Sequence, residues 1–160
     1  MNSDQPSDRG GRWVAAQLVL MALVLAFAWL PPGWGGASTL LAALGAALAL
    51  VGGLLVVWAW RTLDRAATPF PRPRPGGRLV ETGPYAFVRH PVYVGGIVFF
   101  LGFALATSPA VFVPLAALGV LWRNKAALEE DWLEEKYPDY AEYRERVRGA
   151  FVPRTSVRAD

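Results

Sequence analysis

Cysteine is absent from this chain, so disulfides, thiolate metal sites and a cysteine nucleophile are ruled out at once. Histidine occurs once, at His90, and a single histidine cannot by itself build a zinc site. Charge is missing over long stretches: no Asp, Glu, Lys or Arg lies between Trp13 and Trp60, and none between Pro91 and Trp122. With 54% hydrophobic residues against 18% charged, and the charges segregated, the composition is that of a membrane protein. No basic helix with interleaved aromatics stands apart from the apolar runs, so the net charge of +3 reads as topology and not as nucleic-acid binding.

A bilayer core takes about 20 apolar residues per helix, so residues 13–60 can cross twice, broken at Pro31-Pro32-Gly33-Trp34-Gly35-Gly36. The second run is split at Thr107-Ser108-Pro109 into two short arms. These read as a helical hairpin whose second arm continues past Trp122. The expected fold is all-α and integral to the membrane, with about four transmembrane helices, the last two a hairpin, followed by C-terminal cytoplasmic helices. Basic residues cluster at Arg9 and Arg12, at Arg61 to Arg89, and from Arg123 onward, while the two turns carry no charge. The positive-inside rule then puts both termini and the charged segments in the cytoplasm, in the manner of a bacterial inner-membrane protein. A signal peptide over Met1 to Ser38 is the competing reading. The Trp13 to Leu30 stretch is longer than the roughly 7–15 residues of such an h-region, and its removal would leave an odd number of crossings.

The chain thus divides into a tail (1–12), two transmembrane helices (13–60), a Pro/Arg-rich connector (61–82), a core with the hairpin and C-terminal helices (83–153), and a tail (154–160). Within the connector, alternating prolines from Thr68 to Gly77 forbid regular helix and leave either a solvated polybasic linker or a lid. Arg89-His90-Pro91 then stands at the start of the third apolar helix, with Pro91 suited to its first position. Taken alone, that block is explained by a positive-inside arginine, an interfacial histidine and a helix-starting proline. Beyond the last apolar run, Glu129 and Glu130 lie where a cationic group could be held. Pro138 breaks the helix, and Tyr140, Tyr143 and Val147 fall on one side of a short one.

Gly83-Pro84-Tyr85 with Arg89-His90-Pro91-Val92-Tyr93, and then Glu129-Glu130, Leu133, Tyr137, Tyr140, Tyr143, Val147 and Pro153, resemble the isoprenylcysteine carboxyl methyltransferases and their phospholipid-methyltransferase relatives. The resemblance covers Leu79 to Pro153. It implies an integral-membrane enzyme that transfers the methyl of S-adenosylmethionine to a lipophilic acceptor, an isoprenylcysteine-like carboxylate or a phospholipid-like amine. It implies a cofactor site of Tyr85, Arg89, His90, Pro91, Tyr93, Glu130, Tyr140 and Tyr143, with Glu129 and Lys125 as catalytic residues and no metal. Arg89 and His90 would pair with the cofactor's carboxylate, and the tyrosines suit an adenine ring and a sulfonium. No Gly-x-Gly motif of the soluble dinucleotide or methyltransferase type occurs. One departure is Lys125, where the carboxyl methyltransferases carry arginine; Arg123 would project about 200° away on the same helix, and lysine lacks the bidentate fork. Two other classes fit parts of the pattern: a nicotinamide-dependent membrane reductase of the sterol-reductase type, with its Arg-His-Pro-x-Tyr block, and a non-catalytic membrane scaffold or lipid-binding protein.

Overall fold

The four apolar stretches form four long helices, and every regular element among the described residues is helical. The computed structural model describes residues 10–35 and 38–154; most of the expected N-terminal tail with Arg9, the turn residues Gly36 and Ala37, and the end of the C-terminal tail lie outside the described residues. The elements are α1 (Gly11–Phe27), α2 (Ser38–Leu63), α3 (Pro91–Ala106), α4 (Phe112–Lys136) and α5 (Tyr140–Arg146), with 3-10 turns at Asp64–Ala66, Gly83–Ala86 and Pro109–Val111. Helices end where the sequence places residues that cannot continue them: Pro31-Pro32, the Thr68 to Gly77 connector, Ser108-Pro109 and Pro138.

Two segments are long and apolar enough to cross a membrane, Ser38–Ala66 and Pro109–Lys136, and only 11% of the most apolar stretch of the first is buried. A soluble core helix of that composition would be hidden; here Leu40, Leu44, Leu50, Val51, Leu54 and Trp58 are exposed, as a lipid-facing surface requires. α1 and α3, at 17 and 16 residues, are apolar but shorter. Of the four crossings read from the sequence, two therefore have full spanning length.

The expected hairpin of α3 and α4 is present, but α3 packs chiefly along α2, and α1 packs along α4. Glycine spacing explains the pairing. Gly45 and Gly52 on α2, and Gly95 and Gly102 on α3, are each seven residues apart, about two helical turns, so each pair shares a face. A Cβ at Gly52 would lie 2.6 Å from the Gly95 carbonyl oxygen, and one at Gly95 would lie 2.9 Å from the Val56 nitrogen. With no side chains between them the two backbones touch, which is how helices gain packing contacts in lipid. Gly53, beside Gly52 in sequence, points elsewhere, for a Cβ there meets only Phe99 Cδ2 at 3.7 Å.

The uncharged turns meet at one end of the molecule. The Ser108 hydroxyl lies 2.9 Å from the Leu30 carbonyl and 3.0 Å from that of Pro32, and it accepts the Ala110 N–H that opens the 3-10 turn. Trp34 Nε1 donates to the Ala104 carbonyl at 3.1 Å. The α1–α2 turn is thereby fastened to the α3–α4 turn.

Gly52→Ala is expected to destabilise the protein by about 1–3 kcal/mol, because the added methyl meets backbone that cannot yield. Gly53→Ala should be near neutral, within about 0.5 kcal/mol. Unfolding in detergent followed by circular dichroism checks both; equal effects would contradict the close helix contact.

Candidate functional site

At the charged end, the residue before Pro91 is decisive. Pro91 occupies the first turn of α3 and sets His90 just outside it. The Arg89 and His90 N–H groups cannot join the helix; they donate to the Gly149 and Ala150 carbonyls, each at 3.0 Å. The chain after α5 is thus folded back across the start of α3.

Glu130 of α4 closes the arrangement. Its carboxylate accepts from Arg89 Nε at 2.9 Å and Nη2 at 3.1 Å, a two-pronged contact, and lies 2.9 Å from His90 Nε2. Arg89 Nη1 donates to the Val147 carbonyl at 2.7 Å. Burial acts to lower the Arg89 pKa, but the hydrogen bond and charge of Glu130 outweigh it and raise the value. One residue earlier on α4, Glu129 accepts from the Tyr93 hydroxyl at 3.0 Å and lies 4.0 Å from His90 Nδ1.

Aromatic rings form a column through the site. Phe151 stacks on His90 at 5.7 Å, His90 on Tyr93 at 5.6 Å, and Tyr93 on Trp122 at 5.7 Å, with interplanar angles of 20–27°. Gly96 makes room for the Trp122 ring, since a Cβ there would lie 2.6 Å from the indole edge. Below the column, Tyr143 donates to the Tyr85 carbonyl at 2.8 Å. Burial raises the phenol pKa of Tyr85, reinforced by the charge of Glu129, and likewise raises Tyr140 and Tyr143. These phenols remain protonated and available as donors at neutral pH. The Tyr140 hydroxyl and the Trp122 indole N–H are buried with no hydrogen-bond partner among the described residues.

A cavity of about 510 Å³ lies between the α1–α4 and α2–α3 pairs, well within the range of small-molecule sites. Of the residues expected at the site, Tyr85, Arg89, His90, Tyr93, Lys125, Glu129, Tyr140 and Tyr143 line it. Glu130 and Pro91 do not: Glu130 stands behind Arg89 and His90, and Pro91 is buried at the helix start. Arg89, expected to meet a cofactor carboxylate, instead gives its fork to Glu130. Lys125 is buried and Arg123 exposed, as their angular separation requires. The connector also reaches the cavity through Pro69, Arg74 and Arg78, held to α4 by Arg72 over the Trp132 ring and by the Lys136 ammonium on the Arg74 carbonyl.

Residues not anticipated from the sequence are Gln17 on α1, Trp122 and the connector's Pro69. Gln17 had a signal: it is the sole amide side chain between Trp13 and Leu30, and polar groups within apolar spans are usually functional. Among the described residues, no group of three or more His, Cys, Asp or Glu could hold a metal ion.

The family described as phospholipid methyltransferase matches residues 40–140. The nickel-cobalt-cadmium resistance protein NccN of Alcaligenes xylosoxydans xylosoxydans is 31% identical over 153 residues, 93% of this chain and 66% of the relative. The cobalt-zinc-cadmium resistance protein CzcN of Cupriavidus metallidurans is 37% identical over 86 residues, 52% of this chain and 39% of the relative. The chain thus spans under two thirds of the length of either relative.

Glu130→Ala should cost about 3–5 kcal/mol, because it strands the Arg89 guanidinium in a nearly closed site. Glu134→Ala, which removes the exposed partner of Arg144, should cost under about 1 kcal/mol. Thermal unfolding of the two variants checks the contrast.

Proposed function

The chain belongs to the phospholipid methyltransferase family, and from that premise we propose that it is a membrane-embedded S-adenosylmethionine-dependent methyltransferase acting on a lipophilic acceptor. The observation that carries this reading is the cavity itself: about 510 Å³, walled by the His90–Tyr93–Trp122 column and by Tyr85, Tyr140 and Tyr143. The aromatic faces suit an adenine ring and a sulfonium cation. Tyr85, His90, Tyr93, Tyr140 and Tyr143 would hold the cofactor, with Arg89 and Glu130 fixing His90 from behind. When bound, S-adenosylmethionine supplies a methyl group already activated on a sulfonium.

The residues therefore have mainly to position and to exclude water, which can supply roughly 7–11 kcal/mol in well-aligned cases. A carboxylate acceptor needs no base. An amine must be neutral to react, and Glu129 is the group placed to take its proton: Tyr93 occupies Oε2, while Oε1 has no hydrogen bond among the described residues. The cavity's walls from α1 and α2, with Met21, Val57 and Trp60, are apolar, which fits an acceptor entering sideways from the bilayer. In this reading α1 to α4 all cross, the uncharged turns face outward, and the site and both termini lie on the cytoplasmic side. The two relatives are named for resistance to metal ions; we assign the present chain a part in modifying lipid or lipid-like molecules, not in holding the metal.

Calorimetry on the detergent-purified protein should find saturable binding of S-adenosylmethionine and none of NADPH. Glu129→Gln, which leaves the Arg89–Glu130–His90 network intact, should weaken binding or turnover roughly tenfold or more. Binding of NADPH in place of the methyl donor would favour a reductase. No binding of either would favour a scaffold.

A further inference from the structure

We infer that Lys125 is the anion anchor of this cavity and that Gln17, on α1, is the positioning residue that aims it, an inference that rests on the methyltransferase reading. Lys125 is 1% exposed and lines the cavity. Its ammonium donates to Gln17 Oε1 at 2.7 Å and to the Pro69 carbonyl at 2.8 Å, and stands 5.7 Å from the centre of the Tyr93 ring. All three partners are uncharged. An ammonium has three N–H donors, so one is left over. Among the described residues, no carboxylate comes within 4.0 Å of it. Glu129, one turn further along α4, faces the same cavity but is held by Tyr93 and lies nearest His90.

The Glu129 charge acts on this buried ammonium only from beyond ion-pair distance, and a buried cation so incompletely matched is costly to maintain. The other basic side chains of the cavity are already committed or exposed: Arg89 is forked to Glu130, His90 shares that carboxylate, and Arg74 and Arg78 are exposed on the connector. Lys125 is thus the buried cation left for an anionic group of the ligand, either the carboxylate of the cofactor or an anionic group of the acceptor. Gln17 and Pro69 hold the ammonium by hydrogen bonds that leave its charge intact. An acidic residue at position 17 would hold it equally well and cancel it. α1 lies outside the matched residues 40–140, so this part of the site comes from a helix the family match does not cover.

The test is Gln17→Glu in the full chain in detergent, with calorimetric titration of S-adenosylmethionine, its decarboxylated analogue and palmitate, and thermal unfolding alongside. The expected result is unfolding at or above the wild-type temperature with at least roughly tenfold weaker binding of one carboxylate probe. Loss confined to S-adenosylmethionine, with the decarboxylated analogue unaffected, identifies the anion as the cofactor's. Loss confined to palmitate identifies it as the acceptor's. Unchanged affinity for both overturns the inference, as a merely structural Gln17 requires. Should Gln17→Glu fail to fold, Lys125→Gln, which keeps a donor and removes the charge, decides by the same readout. Wild-type protein that binds neither adenosyl probe would count against the methyltransferase reading, and the palmitate titration would then decide the anchor by itself.

Discussion

The charged end of this molecule depends on one carboxylate. Glu130 projects from α4 and engages both Arg89 and His90, which belong to the segment leading into α3. Two helices whose apolar portions touch only narrowly are thereby fixed where they leave the apolar region. Burying such a group is favourable only when all its valences are met, and here they are: Arg89 uses its remaining arm on the Val147 carbonyl, and the backbone of Gly149 and Ala150 takes the N–H groups beside it. The segment after α5 is held by that pairing, which also brings Phe151 onto His90. The aromatic column is therefore a product of the ionic contact beneath it.

A second constraint acts within the apolar region, where water gives no help in bringing helices together. Contact between α2 and α3 comes from the absence of side chains at Gly45, Gly52, Gly95 and Gly102. The α1–α4 pair has no such seam; Val24, Leu115, Leu118 and Trp122 pack there in the ordinary way. The cavity occupies the space between a tight pair and a looser one, which is why residues from both meet in it.

Much of this was legible in the sequence, because proline and charge act locally. Pro31-Pro32, Pro109 and Pro138 mark helix ends wherever they occur, and stretches without charge must face lipid or one another. The Tyr140, Tyr143 and Val147 face of α5 follows from helical spacing, and these residues form a small core of their own. Which helix pairs with which was not legible: chain order suggested α3 with α4, and the deciding contact lies between glycines some fifty residues apart. For the same reason the sequence could propose that Arg89 serves the site but not that Glu130 takes its fork. It also passed over Gln17, whose partner Lys125 is 108 positions away.

The bonds of Ser108 and Trp34 at the uncharged end have a mechanical consequence. They fasten the turn that joins α1 to α2 onto the turn that joins α3 to α4, while at the opposite end Glu130 ties α4 to the segment before α3. The cavity is therefore framed by fastenings at both ends of the helices. Lys125 lies 14 residues beyond Val111, about 21 Å at a rise of 1.5 Å per residue, so with the turns alone fastened a tilt of about 10° would displace it by roughly 4 Å. One fastening at each end resists that tilt and keeps the walls of the cleft in register.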